Sequence, residues 1–410
     1  MRSIPFLTDT LSSLNQALSL LSEIHVAVGM VQSDDQADAF MLASKQKKVD
    51  SALDLMKQIA NSATLEYQGQ VKQLFDGSFA ISHTAASLSA VRESQIFEVD
   101  LPNGGTKNIT VEVEQAAQPA EILIPRSVFD HGLASDVVLD IIGDLGRETF
   151  AFEAGTTGHQ ICGMINLFAS DTGVDAKIID EGMRLRSLEV GSQASIEISV
   201  VSEPTHGQLT NAIPQNAAQG CDALAMINGV PAQASSSSIS LQTTKLDVFL
   251  NLHPQFEGKL SFVIHGGGVH LSASNNHADN SRRIGLMSLL PANLGGRSGR
   301  LFEIASGQRS CLSSDPRVAF DIISQAKNQL DRLIARLVVV KEREIEESAQ
   351  KAMPQPAPEP KPARKKSFPN YRLTQPEAGH SQTAAPQILV QAGSSVLDFP
   401  DESADIFTRR

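Results

Sequence analysis

A chain of 410 residues exceeds the roughly 250 to 300 residues at which a single hydrophobic core stops growing, so more than one packed unit is expected. Apolar residues make up 41%, and 28 glycines bring the share to about 48%, which excludes wholesale disorder. Lys plus Arg at 34 against Asp plus Glu at 46 gives 34 − 46 = −12, a charge that repels nucleic acid and anionic membrane and argues against both as partners.

Cys162, Cys221 and Cys311 lie far apart without CxxC spacing, which removes a disulfide framework and a zinc finger. The sequence shows no run of the roughly 18 apolar residues that a membrane span needs, and no secretory signal at its start. Trp is absent and Tyr occurs twice against 17 Phe, so the indole and phenol anchors common at binding sites are scarce. That bias favours a scaffold.

In chain order, Leu11, Leu14, Leu18, Leu21 and Val28 recur at three- and four-residue steps, with His25 in the remaining position of the stripe, and predict a helix. Ser33, Asp34 and Asp35 are read as caps for a second helix carrying Val49, Leu53, Met56 and Ala60. From about residue 96 the period changes to two: IFEVDL and KNITVEVEQ flank Asn103, Gly104 and Gly105, which predicts a hairpin. VVLDII, ETFAFEAG, AKII, LRSLEV and ASIEISV continue the β signal around an amphipathic, turn-rich piece with Ile161, Met164, Ile165 and Phe168, and read as a small α+β module. LAMINGV, SSISLQ, KLDVFLNL and KLSFVIHGGG add further strands.

Helical spacing resumes after CLSSDPRV, with Asp315 as cap and Pro316 at the first position. Its stripe is Val318, Ile322, Ala326, Leu330, Leu333, Leu337 and Val340, long enough to cover the N-terminal pair. The two ends of the ordered chain are therefore expected to meet in one bundle, around residues 9–75 and 316–349, with the β region projecting from it. Nine of the 19 prolines fall in residues 350–410, where PQPAPEPKP cannot continue a helix and predicts a linker. This tail holds 8 basic and 6 acidic residues, net +2, leaving −12 − 2 = −14 on the first 349. Its KPARKK patch is read as a solvated linker charge in preference to an anion site.

Particular strings carry a family likeness. LNQALSLLSEI with KVDSALDLMKQIANSATLEYQGQVKQLFDGS resembles the N-terminal helical part of bacterial flagellins. DVVLDIIGDLGRETFAFEAGTT, MINLFASDTGVDAKI, GSQASIEISV and CDALAMINGVPA resemble the insertion module of long flagellins. IGLMSLLPANLGGRSGRLFEIASG with AFDIISQAKNQLDRLIARL resembles the return to the helical core, and QILVQAGSSVL part of the terminal helix. The resemblance implies a structural subunit of the flagellar filament, exported through the flagellum's channel to the outside of the cell. Its implied partners are other flagellin subunits or filament proteins, with an export chaperone or the export apparatus. No catalytic residue, cofactor or metal comes with it.

The chain departs from that family in having only about a dozen residues ahead of LNQALSLLSEI, in the proline-rich interruption, in the ending DFPDESADIFTRR, and in carrying cysteine at all. His25 stands where receptor-recognised flagellins have arginine, so innate-receptor recognition is not implied. Two readings follow: a divergent filament subunit weakened in self-polymerisation, or an accessory protein of junction, cap or surface type that docks on filaments without forming them.

Residues elsewhere suggest chemistry only weakly. His253, His265, His270 and His277 with Asp279 fall close together, but their spacing is irregular and no HExxH accompanies them. GGGV at 266–269 lacks phosphate-loop spacing and reads as a turn or close backbone approach. Ser298 in GGRSGR, Cys162 and Cys311 lack a paired base, so no nucleophile is assigned. Met164, Met183 and Met226 are read as core fillers.

The resulting architecture is α+β: helical segment 1–95, β-rich region 96–300 with an insertion module at about 134–202, helix 301–349, linker 350–386 and terminal segment 387–410. Catalytic, cofactor-binding and metal residues are expected to be none. The working positions are the packing stripe Leu14, Leu18, Leu21, Val49, Leu53, Met56, Ile322, Leu330, Leu333 and Leu337, which serve a core as readily as an interface.

Overall fold

The three- and four-residue apolar spacing of the N-terminal region folds as two helices, α1 (Ser3–Gln32) and α2 (Ala39–Ser62). The computed structural model describes residues 3–32, 38–67, 70–76, 79–101, 105–204, 208–213, 215–270 and 282–352. The KPARKK patch, the segment QILVQAGSSVL and nearly all of the proline-rich tail lie outside them, as do Ser33, Asp34 and Asp35. The cap of α2 is Asp38, which sits directly before the first turn in extended backbone and whose carboxylate accepts the Met41 amide at 2.7 Å. A side chain at that position reaches the free amides of the opening turn.

The helical reading does not extend to residue 75. After Ala63 closes α2, Thr64–Tyr67 and Gln70–Gln73 pair as an antiparallel hairpin, followed by a single 3₁₀ turn at Leu74–Asp76. Leu74 and Phe75 from that turn still enter the bundle core.

The C-terminal helix, Pro316–Ala352, opens on Asp315, whose carboxylate accepts the Val318 amide at 3.0 Å. It runs antiparallel to α1: Gly29 lies beside the Phe320 ring, and His25 four residues earlier reaches Ser324 four residues later. Leu7, Leu14, Leu21, Ile24 and Val28 of α1, Val49, Leu53 and Met56 of α2, and Ala319, Ile322, Ile323, Ala326, Leu330, Leu333 and Leu337 of the C-terminal helix share one core.

One expectation about α1 is corrected. Ile4–Gln32 is long and apolar enough, by length and composition, to cross a membrane. Its polar positions are mostly Ser, Thr, Asn and Gln, with Asp9 and Glu23 its only ionised residues, so its hydropathy stays high although its larger apolar side chains mostly face the bundle.

Between α2 and the C-terminal helix lie two β modules, the second set within the first. The outer one is a pair of antiparallel sheets sharing a core. Five strands run in the order Val230–Pro231, Leu224–Ile227, Lys107–Gln115, Gly258–Gly267 and Phe79–His83. Six run in the order Gln233–Ser235, Ser238–Gln242, Leu246–Leu252, Val91–Asp100, Arg282–Ile284 and Val269–His270. Ile109, Val111 and Phe262 from the first sheet meet Val99, Val248 and Leu250 from the second.

The hairpin predicted around Asn103–Gly105 is not formed, since Val91–Asp100 and Lys107–Gln115 belong to different sheets. The reason lies in Gln95–Val99, which are buried in succession: Phe97 faces the bundle core while Ile96 and Val99 face the sandwich. A strand covered on both faces takes its partners from wherever the fold supplies them, here residues 246–252 and 282–284.

The inner module packs a three-stranded sheet (Glu121–Pro125, Gly182–Ser187, Val174–Ile179) and a four-stranded sheet (Ala217–Gln219, Ser195–Ser202, Val137–Gly143, Arg147–Phe152) around the helix Gly158–Leu167. The helix is regular where the sequence suggested a turn-rich piece. A reciprocal cap explains it: Thr157 and Gln160 satisfy each other's backbone amides. Ile161 and Ile165 face the core, whereas Met164 is exposed and fills nothing. The core reaches from Ala120 to Ala218, wider than 134–202, because Glu121–Pro125 closes one sheet edge. The chain enters and leaves at a narrow neck where Gln118 and Cys221 exchange backbone hydrogen bonds of 2.8 and 3.0 Å.

Candidate docking interface

Nine of the ten working positions are buried in the bundle core, and Leu18 is half-buried against it. The structure thus brings together residues more than 250 positions apart, in a seam closed within the single chain. His25, half-buried between Leu21 and Val28 of the stripe, stacks on Phe320 with ring centroids 4.2 Å apart and places Nε2 3.0 Å from the Ser324 hydroxyl. Burial, reinforced by Lys327, lowers its pKa from the ordinary value and favours the neutral ring.

A second seam, absent from the sequence reading, joins the C-terminal helix to the outer β module. Arg332 contacts Glu93 at 2.6 Å, donates to Gln95 at 2.8 Å and lies 4.0 Å from the centre of the Phe249 ring. Arg336 approaches Asp247 at 3.5 Å, and Arg343 approaches Glu98 at 3.3 Å. Glu98 and Asp247 are cross-strand neighbours and are only 1% and 3% exposed, so two carboxylates face two guanidinium groups away from water. Asp247 Oδ1 is within ion-pair reach of Arg336 yet accepts no hydrogen bond. Burial pushes its pKa up to about 6, and Glu98 adds to the rise that Arg336 and Arg343 oppose.

This seam was hidden because each pair spans a long stretch of sequence. Arg332, Arg336 and Arg343 do share a helix face at steps of four and seven, and the inward acid of IFEVDL breaks an apolar strand. Those two irregularities are the available signal.

The remaining candidates do not assemble. His253 and His265 are exposed, the His270 side chain, His277 and Asp279 lie outside the described residues, and no group of three metal-binding side chains occurs among the described residues. At GGGV, Gly266, Gly267 and Gly268 all take positive φ where the chain crosses from one sheet to the other, and a Cβ on Gly268 would stand 2.6 Å from the Phe79 ring. The Ser298 hydroxyl is held by Gln325 at 3.0 Å. Burial pushes the Cys162 thiol up to about 11, while hydrogen bonds from Ser313 and Ser314 lower that of Cys311. Met183 packs in the inner core and Met226 is half-buried.

No family model matches this sequence, and no curated protein matches it. Among solved structures it is similar to the D2–D3 domains of the flagellar cap protein FliD from Escherichia coli, at 20% identity over 46% of this chain and 100% of that one, with a TM-score of 0.30. The D1–D2–D3 form of the same protein gives 17% identity over 62% of this chain and 63% of that one, at 0.30. FlgL of Xanthomonas campestris gives 8% identity over 86% and 92%, at 0.25. These scores are too low to establish a shared fold.

Proposed function

We propose that this chain is a non-enzymatic structural protein of the bacterial flagellum, outside the cell, of the accessory type that docks on filament proteins without polymerising. The flagellar part rests on the flagellin-like strings in both terminal regions, which form the early and late helices of one bundle. The choice of accessory over filament subunit rests on a single observation. A helix that polymerises through its apolar stripe must leave part of that stripe uncovered in the monomer, at about 25 cal/mol gained per Å² on association. Here Leu7, Leu14, Leu21 and Val28 are all 0% exposed within one chain. The outward side of α1 is instead mainly uncharged and polar, with Val26 and Met30 as its large exposed apolar residues. Such a face suits docking on another surface and supplies little drive for self-assembly.

The experiment is incubation of the purified chain under filament-forming conditions, followed by electron microscopy, and then co-sedimentation with isolated flagellar filaments. The expected result is a monomer that sediments with filaments, with gold label confined to an end or scattered along the length. Regular filaments of this chain alone would restore the subunit reading, and absence from the filament pellet would remove the flagellar one.

A further inference from the structure

The string GGRSGR forms a tightly fixed loop. Gly295–Gly296 and Gly299–Arg300 pair across it. Gln329 of the C-terminal helix accepts the Gly295 amide at 3.0 Å and donates to the Gly295 carbonyl at 2.6 Å. Gln325 accepts the Ser298 amide at 3.3 Å, and a Cβ on Gly296 would stand 2.6 Å from its Oε1, so the backbone is pressed against the helix. What this clamping positions is Arg297, beside Arg92 of the outer module.

Both side chains line the same two recesses, and burial, with Arg297 as a neighbouring cation, lowers the Arg92 pKa against the opposing effect of Glu189. Among the described residues neither has an ion-pair partner. With Glu93 and Gly296 they form the wall common to two adjoining recesses of about 630 and about 600 Å³. Arg300 lines the first recess and Arg186 the second. Of the acids lining them, Glu93 is already neutralised by Arg332, which leaves Glu189 against four arginines. In a chain of net charge −12 this is a local reversal of sign, held in place by a stapled loop.

We propose that this groove is the docking site for a carboxylate-rich segment of a partner protein, with Arg92 and Arg297 as its central anchors. The cations are spread along two joined recesses, so a single small anion would meet only the middle pair. The overall negative charge repels a long polyanion such as nucleic acid, while a short acidic segment approaches at lower electrostatic cost. Planar guanidinium groups match carboxylates two bonds at a time, which gives the site geometric as well as charge selectivity. The inference holds whether or not the bundle docks on a filament.

The test is fluorescence anisotropy on the full chain with a labelled peptide of alternating glutamate and serine, and a lysine–serine peptide of equal length as control. Saturable binding to the acidic peptide alone is expected, weakening roughly tenfold or more between low and physiological salt. The Arg92→Ala/Arg297→Ala variant should abolish it and Lys47→Ala/Lys48→Ala should leave it unchanged, with circular dichroism confirming the fold of each. Where the double variant melts early, Arg297→Gln alone is expected to weaken binding by about fivefold. The proposal is overturned by no saturable binding, by equal binding of both peptides, or by binding that survives loss of both arginines. It is equally overturned if inorganic phosphate displaces the peptide mole for mole, or if a single-stranded oligonucleotide binds more tightly.

Discussion

α1 and the C-terminal helix share one seam yet are built from different materials. α1 has two ionised side chains in 30 residues, whereas the C-terminal helix has thirteen in 37. The contrast follows from what each helix covers. α1 packs its leucines into the bundle and turns a neutral polar side outward. The C-terminal helix lies over two cores, so one stripe is apolar for the bundle and the next carries arginines for the carboxylates of the sheet. A helix bridging two modules needs a second, directional set of contacts, because hydrophobic burial alone does not fix orientation.

The largest effect should come from breaking the shared stripe. Leu14→Ala removes a fully buried side chain from the centre of the bundle and is expected to cost about 2 to 5 kcal/mol, read as a fall in the thermal unfolding midpoint. Leu18→Ala, at a half-buried position, should cost distinctly less. Equal losses would mean that the seam is not the main support of α1.

The second seam has a pH signature of opposite sense to most ion pairs. Asp247 binds its proton more tightly folded, at about 6, than unfolded, near 3.8. Its contribution is therefore fully present below about pH 4 and is lost as pH rises through about 6, by an amount on the order of 2 to 3 kcal/mol. Asp247→Asn should flatten that slope in urea titrations run across the same range. An unchanged slope would place the titrating group elsewhere.

A smaller effect is expected at the corner where the chain changes sheets. Gly268 holds φ at +69° with its α-carbon facing the Phe79 ring. Gly268→Ala should cost about 1 to 3 kcal/mol, part steric and part backbone, and Phe79→Leu in the same chain should recover the steric part. Additive losses in the double variant would show that the ring is not the obstacle.

What the sequence made legible divides along the same line as the two helices. The stripe could be read because helical periodicity is local: Leu14 to Val28 and Ile322 to Leu337 each declare a face without reference to a partner. The α+β class and the meeting of the early and late helices followed from that. The hairpin at Asn103–Gly105 failed because turn chemistry is also local while strand pairing is not. Once Phe97 and Ile96 were claimed by different cores, the two flanking strands separated. The arginine seam and the groove at Arg92 and Arg297 were illegible for a related reason, since each joins side chains far apart in sequence, from 89 residues for Arg336 and Asp247 to 245 for Arg343 and Glu98, through a fold that must exist first. Local patterns specified the elements, and the nesting of one module inside another set the contacts between them.

The smallest predicted effect tests the end of α2 rather than its face. Asp38 is the observed cap, although its position offered no stronger signal than the acidic residues before it. Its carboxylate satisfies the Met41 amide and sits at the positive end of the helix dipole, so Asp38→Ala should cost about 1 kcal/mol. Asp38→Ser keeps an accepting oxygen but loses the charge, and should fall between the two. Both differences belong in the urea midpoint with the slope of the transition unchanged, because the cap closes a helix end without altering how much surface unfolding exposes. Should Asp38→Ala prove silent while Leu14→Ala is severe, α2 would owe its start wholly to Val49, Leu53 and Met56 in the bundle. Packing would then outrank local capping at the start of α2.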